Sequence, residues 1–169
     1  MKNFQFKLLL MLSMQIICGL EFILPSFTIS LQHPDKLEIE NLQLLKQLSK
    51  ALFDGNYVQA ELIFNNGCNI NSMNEYGTTL LHLAIDKHDI RAVKFLLEHD
   101  AYLTTQDNDG QTPLHLAVME NNREIVVLLL QCGHKKILHI KNNEGCTPLN
   151  YAWDVDMKNL LQAKNLEQE

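Results

Sequence analysis

Residues 107–117 are Asp107-Asn108-Asp109-Gly110-Gln111-Thr112-Pro113-Leu114-His115-Leu116-Ala117. A related segment lies 33 residues earlier, and it is Asn74-Glu75-Tyr76-Gly77-Thr78-Thr79-Leu80-Leu81-His82-Leu83-Ala84. The same spacing continues downstream, where Val93, Leu96 and Leu97 recur as Val126, Leu129 and Leu130. Similarity at a fixed period of this size is typical of repeat architectures, in which each unit stacks on its neighbours.

Two further copies of the unit flank this pair. The downstream copy begins at Asn142 and lies at an offset of 35, because two residues are added after Gly133. The upstream copy is degenerate, with Ala51 corresponding to Ala84. The sequence therefore predicts four units, namely residues 41–73, 74–106, 107–141 with the two-residue insertion, and 142–169.

The opening Asp-x-x-Gly-x-Thr-Pro-Leu-His-Leu-Ala, followed by Ile125-Val126 and Leu129-Leu130, resembles an ankyrin repeat. The resemblance covers Asn41 to about Leu161; it is nearly complete in the third unit, good in the second and partial in the outer two. It implies an all-α fold, an ankyrin-repeat solenoid of stacked helix–turn–helix units joined by β-turn loops.

The residues of the third unit support this helical architecture independently of the resemblance. Thr112 is suited to cap a helix, and Pro113 fits a first helical position, where a missing N–H costs nothing. Leu114, Ala117 and Val118 are three and four residues apart, which places them on one face. One unit is too small to bury such faces alone, so the units must stack, with capping units at both ends.

The first unit has the pattern of an amino-terminal cap. A helix predicted to begin at Asp35 carries Leu42, Leu45, Ser49 and Leu52 on one face and polar residues elsewhere. We expect the polar positions of this helix to face solvent.

The fourth unit is shorter than the others. Ala152 precedes Leu160 by 8 residues, whereas Ala117 precedes Leu129 by 12, so this alignment predicts a loss of four residues. The final helices are expected to be shortened or fused, and residues 162–169 to form a polar, fraying tail.

Residues 1–26 have the features of a secretory signal. Lys2 and Lys7 precede the uncharged run Leu8 to Leu20, whose length suits a signal peptide but is too short to span a bilayer. This predicts a secreted or periplasmic protein, with residues 27–40 as a linker and the start of the capping helix. An uncleaved membrane anchor and a hydrophobic helix packed on the domain are the alternatives.

Composition and motifs argue against several functional classes. The chain has 169 residues and a formal net charge of −6, which disfavours nucleic acid as a partner. The sequence contains no Gly-x-Ser-x-Gly, no His-Glu-x-x-His and no glycine-rich phosphate loop, so we predict no enzymatic activity and no cofactor. The resemblance implies that His82 and His115 make structural hydrogen bonds between repeats, a position that Asn150 takes in the fourth unit.

The cysteines permit one competing hypothesis. Cys132, His134, His139 and Cys146 are the residue types that bind zinc, although their spacing lacks a Cys-x-x-Cys or His-x-x-x-His element. The alternative is a polar loop with two incidental thiols. Cys18 belongs to the leader, so Cys68, Cys132 and Cys146 remain. Because this is an odd number of cysteines, no disulfide framework is predicted.

The function predicted for the array is binding of a protein or peptide, by a monomer, through a concave face made of turn tips and first helices. Tyr76, Met119 and Trp153 are the expected anchors, although Trp153 could instead fill the shortened last unit. The neighbouring carboxylates favour a basic partner. The predicted partner-binding residues are Glu75, Tyr76, Thr78, Asp86, Lys87, Asn108, Asp109, Gln111, Met119, Glu120, Asn143 and Glu144, with Cys146, Trp153 and Asp154 at the end of the row.

Overall fold

A computed structural model describes the backbone of residues 34–166 and the side chains of residues 39–164. The chain divides into two compact units, Met1–Ile39 and Glu40–Glu169. The predicted signal, membrane anchor or packed hydrophobic helix therefore lies outside the described residues, as does most of the predicted linker. The described helices are α1 (Pro34–Phe53), α2 (Tyr57–Asn65), α3 (Leu80–Asp86), α4 (Ile90–Glu98), α5 (Pro113–Met119), α6 (Arg123–Cys132), a 3₁₀ helix (Lys135–Leu138), α7 (Pro148–Tyr151) and α8 (Val155–Leu166).

The all-α helix-pair fold predicted from the repeats is confirmed, since the regular structure within residues 34–166 is entirely helical. In the third unit Thr112 caps α5, accepting the His115 backbone N–H on its hydroxyl at 3.4 Å, and Pro113 is the first helical residue. Leu114, Ala117 and Val118 are buried on its inner face.

Each second helix begins with a side-chain cap at the same place in the repeat. Asn56, Asp89 and Asn122 accept the backbone N–H three residues ahead, at 3.1, 3.0 and 3.1 Å. These caps are 33 residues apart along the chain, so they fix the register of the three complete helix pairs.

The apolar face predicted for α1 is partly wrong. The helix begins at Pro34 rather than Asp35, and Leu42 is half exposed, whereas Leu48 is fully buried. The reason is helix length, since α1 has 20 residues and its partner α2 has 9. At 1.5 Å per residue, α2 covers only about half of α1 and leaves the turn around Leu42 uncovered.

The fourth unit lacks three residues, and the predicted loss of four is wrong. Asp154 caps α8 by accepting the Met157 N–H at 2.7 Å, so it corresponds to Asn122 of the third unit. Ala152 precedes Asp154 by two residues, whereas Ala117 precedes Asn122 by five. Leu161, which is buried, therefore corresponds to Leu129.

The shortening affects the first helix of this unit and not the second. α7 has 4 residues and α8 has 12, and the two remain separate rather than fused. Residues 162–166 belong to α8, so the predicted tail begins later than expected, and 167–169 lie outside the described residues.

The insertion after Gly133 forms packed structure rather than the predicted polar loop. Its 3₁₀ helix buries Ile137 and Leu138 against the core. Gly133 is needed there for space, because a Cβ atom would collide with Ile137 Cδ1 and lie 2.8 Å from the Leu129 carbonyl oxygen.

Two buried histidines link successive units, as the resemblance implied. His115 Nε2 lies 3.1 Å from the Cys146 carbonyl oxygen of the next unit, and His82 Nε2 lies 3.3 Å from the Gln111 carbonyl oxygen. A carbonyl oxygen only accepts, so Nε2 must carry the proton. Nδ1 of His115 is then free to accept from the Thr112 backbone N–H at 3.1 Å.

This arrangement requires neutral imidazoles. Burial is the main reason that the pKa of each histidine is lowered, and it outweighs the hydrogen bond to the carbonyl oxygen and the charge of Asp107, which both raise the pKa. The unfolded chain therefore binds protons on His82 and His115 at a higher pH than the folded chain does.

We predict that the fold loses stability as pH falls below about 6.5, the pKa of an unperturbed histidine. Each buried histidine adds up to about 1.4 kcal/mol of this loss between pH 7.5 and 5.5. The His115→Asn variant introduces the residue type that the fourth unit has at this position, Asn150. Its free energy of unfolding, measured with urea, should be lower than that of the wild type at pH 7.5 but should fall less on acidification. The exposed His134→Asn serves as control, and equal pH dependence in wild type and His115→Asn would contradict the assignment.

Candidate functional site

Three reverse turns project from the amino-terminal ends of the first helices, and we call them tips: residues 74–77, 107–110 and 142–145. Each tip is closed by its own first side chain. Asp107 Oδ1 accepts the backbone N–H groups of Asp109 and Gln111 at 3.0 and 2.8 Å. Asn74 and Asn142 do the same in their tips, so the three turns share one conformation.

A ladder of hydrogen bonds joins each tip to the next. Asn108 donates its backbone N–H to the Tyr76 carbonyl at 3.0 Å and its side-chain amide to the Glu75 carbonyl at 3.0 Å. Asn143 repeats both bonds one unit later, to the Asp109 carbonyl at 3.1 Å and the Asn108 carbonyl at 2.8 Å. The side-chain amides of Asn108 and Asn143 are therefore used within the array, and contact of these two residues with a partner stays a prediction.

The ladder also explains the tip glycines. Gly77 and Gly110 have φ of 73° and 76°, which favours glycine. A Cβ atom on Gly77 would lie 2.9 Å from the Asn108 backbone nitrogen, and one on Gly110 would lie 2.6 Å from the Asn143 nitrogen. Side chains there would therefore separate neighbouring tips.

The remaining predicted site residues fall into two groups at opposite ends of the first helices. α3 and α5 each have 7 residues, about 10 Å, between the tips and the following turn. The tip group contains Glu75, Tyr76, Thr78, Asp109, Gln111 and Glu144. The helix-end group contains Asp86, Lys87, Met119 and Glu120.

The tip group has exposed acidic and aromatic side chains. Tyr76 is 64% exposed, while Thr78 and Gln111 are half-buried. Glu75, Asp109 and Glu144 contribute one carboxylate per tip, and none of them forms an ion pair with a described residue. The Glu144 carboxylate also accepts a hydrogen bond from the Tyr151 hydroxyl at 2.9 Å. A row of carboxylates of this kind attracts cations.

Contacts within the array engage two members of the helix-end group, Lys87 and Glu120, whereas Met119 is 43% exposed. Lys87 Nζ lies 4.9 Å from the centre of the Phe53 ring, and Glu120 lies 3.6 Å from His88 Nε2. An open groove that no sequence motif indicates lies at this end, and Phe53, Lys87, Ile90, Arg91 and Lys94 help to line it. The cationic run from Lys87 to Lys94 was the available signal.

The residues predicted at the end of the row differ in role. Trp153 is 70% exposed, so the alternative in which it fills the shortened last unit is wrong. Asp154 is instead structural, since it caps α8 and contacts Arg123 at 3.1 Å. The Met157 N–H is the main cause of its lowered pKa. Cys146 is half-buried, and its carbonyl accepts the His115 hydrogen bond.

The zinc hypothesis finds no support in the side-chain geometry. Among the residues that the structure describes, no three His, Cys, Asp or Glu side chains converge to hold a metal ion. Cys68, Cys132 and Cys146 are free thiols, and burial raises the pKa of Cys68. The segment from Cys132 to Cys146 instead forms the packed 3₁₀ helix and the third tip.

Stacked helix pairs joined by tips define a repeat solenoid whose exposed rows of side chains suit binding rather than catalysis. The sequence matches the family described as ankyrin repeats (3 copies) over residues 48–138 and 105–165, and the chain belongs to this family. Ankyrin repeats are generally protein–protein interaction modules and are typically non-enzymatic. Within residues 34–166 no helix is both long and apolar enough to cross a membrane.

Individual relatives are similar over part of their length. The putative ankyrin repeat protein FPV031 of Fowlpox virus is 41% identical over 98 residues, 54% of this chain and 28% of the relative. A putative ankyrin repeat protein of Rickettsia felis is 34% identical over 114 residues, 60% and 49% of the two chains. The probable 26S proteasome regulatory subunit p28 of Saccharomyces cerevisiae is 32% identical over 83 residues, 49% and 36%. The chain thus spans at most about half of these relatives.

We predict that Gly110→Ala destabilises the array more than Gly145→Ala does. Both glycines have a positive φ, 76° and 79°, so both variants carry a backbone cost of about 1 kcal/mol. Only at Gly110 would the new Cβ meet the next tip, because nothing described lies within 4 Å at Gly145. Opening that contact should add about 1 to 3 kcal/mol. Urea unfolding measures the difference, and equal losses would show that the ladder contributes nothing.

Proposed function

We propose that this chain binds a partner protein or peptide through the tip group and the adjoining faces of the first helices. The observation that carries the proposal is the contrast among the tip residues themselves. The asparagines and the first residue of each tip are engaged in hydrogen bonds within the array, whereas Tyr76 and the carboxylates of Glu75 and Asp109 point outward without an ion pair. These side chains have no structural role that explains their exposure.

The charge of the tips favours a basic partner segment. Glu75, Asp109 and Glu144 recur at the repeat spacing, so a chain lying across the tips meets one carboxylate in each unit. Tyr76 adds an amphipathic ring at the first tip, and such rings are frequent interface anchors. Binding of this kind should weaken as salt is raised, because exposed charges are screened.

The relatives agree with an interaction role. The name of the yeast relative describes a regulatory subunit of the 26S proteasome, and a subunit works through contacts with other proteins. We propose the same general role for this chain and infer no specific assembly from the similarity.

We predict that Tyr76→Ala weakens partner binding by about tenfold or more, the effect expected for an aromatic anchor. Tyr102→Ala is the matched control, because Tyr102 is exposed to a similar degree, 62% against 64%, but lies in the loop after α4. Proteins retained by the immobilised full chain from an extract of its source would be quantified, and binding of one purified partner measured by titration.

Two outcomes of this comparison would contradict the tip assignment. One is retention of full affinity by Tyr76→Ala, and the other is an equal loss in Tyr102→Ala. Folding of both variants is checked by circular dichroism, so that unfolding is not mistaken for lost contact.

We further propose, from the sequence alone, that residues 1–26 direct export and that the array acts outside the compartment of synthesis. Lys2 and Lys7 before the apolar run are the supporting features. Mass spectrometry of the mature amino terminus tests this proposal. A mature protein that begins within residues 19–27 is expected, while an intact segment on membrane-bound protein would support the tethered alternative.

A further inference from the structure

The tip ladder has a third position that no described residue fills. At Gly77 and Gly110 the next tip lies against the glycine, but at Gly145 nothing lies within 4 Å of the Cβ position. The carbonyls of Asn143 and Glu144 correspond to those that Asn108 and Asn143 use as acceptors. Neither receives a hydrogen bond from a described residue. The third tip therefore presents two aligned acceptors and an open space.

The first helix of the fourth unit is uncovered beside this tip. Leu149 is 36% exposed, whereas its equivalents Leu81 and Leu114 are each 1% exposed. Asn150 is likewise exposed, although His82 and His115 at the same position are buried. An exposed leucine, followed by the polar Asn150, thus lies close in sequence to the open acceptors.

The second helix of the same unit, α8, has polar side chains on its exposed face. Lys158 and Gln162 of α8 are exposed and stand where α6 has the buried Val126 and Leu130. Polar substitution of this kind is how terminal repeats remain soluble. The outer face of the fourth unit is therefore polar along α8, whereas the third tip has open carbonyl acceptors and α7 has an exposed leucine.

We propose that this receptive edge, formed by Asn143, Glu144, Gly145 and Leu149, docks a reverse turn of a partner protein that carries asparagine. The hydrogen bonds that Asn108 and Asn143 make to the preceding tips show which bonds the incoming turn would make. The backbone N–H of the incoming asparagine donates to the Glu144 carbonyl, and its side-chain amide donates to the Asn143 carbonyl. An apolar residue after the turn covers Leu149. This site uses the backbone carbonyls of the third tip, whereas the proposed function uses tip side chains, above all Tyr76 of the first tip.

A second copy of this chain does not fit the site. Its Asn108 and Asn143 amides are already bound to its own preceding tips. In its first tip, Glu75 takes the asparagine position. A carboxylate facing the Asn143 carbonyl would place two acceptors together, which is unfavourable. Of these two occupants, a different protein is the one that we propose.

The test uses the full chain, labelled with ¹⁵N, and a cyclic peptide with the sequence of residues 105–114, which contains the turn around Asn108. Saturable amide shifts are expected at residues 143–150 of the protein. A peptide with alanine in place of the asparagine should bind about fivefold to tenfold more weakly, the effect of losing one hydrogen bond. Equal binding of the two peptides, or shifts confined to other residues, would overturn the proposal.

Protein variants separate this site from the tip group. Gly145→Ala fills the open space and should abolish the shifts, while Leu149→Ala, which leaves the turn backbone unaltered, should weaken them. Lys158→Ala on α8 and Tyr76→Ala should bind the peptide as wild type does. Normal binding by Gly145→Ala and Leu149→Ala would refute the docking site, whatever the result for Tyr76→Ala in partner capture. Self-association of the wild type that Gly145→Ala abolishes would also refute it, because the occupant would then be a second copy.

Discussion

The array depends on a buried imidazole that holds two units at once. Nδ1 of His115 accepts from Thr112 at the start of its own helix, and Nε2 donates to the Cys146 carbonyl of the next unit. A buried polar group is tolerated only when its hydrogen bonds are made, and here both ring nitrogens are satisfied. The orientation of the second and third tips relative to the helix pairs before them is therefore set in part by one neutral imidazole each.

The hydrogen bonds between neighbouring tips determine which polar groups of the tips are already engaged within the array. Because Asn108 and Asn143 use both their backbone and side-chain amides to join neighbouring tips, these amides are engaged within the array. Exposure alone therefore does not identify the binding residues. Tyr76, Glu75 and Asp109 are distinguished by exposed side chains that make no hydrogen bond or ion pair with a described residue, whereas the Glu144 carboxylate accepts a hydrogen bond from the Tyr151 hydroxyl at 2.9 Å.

Periodicity predicted the helix pairs, and local chemistry predicted the Thr112 cap, whereas the linking role of the histidines was implied by the family resemblance. Periodicity failed where the spacing changes. A deletion can be placed only when the packing shows which residues are equivalent, so Leu160 was aligned with Leu129 although Leu161 is the buried one. The roles of Asn108 and Asn143 were missed for a related reason, since a repeat pattern marks positions but not the contacts between adjacent turns.

The most direct test of this account is the protonation state of the two linking histidines, observed by long-range ¹H–¹⁵N NMR of the folded chain at pH 7. The account predicts neutral rings protonated on Nε2 for both His82 and His115, because only that tautomer can donate to a carbonyl while Nδ1 accepts. Protonation on Nδ1, or a charged imidazolium at either position, would contradict it.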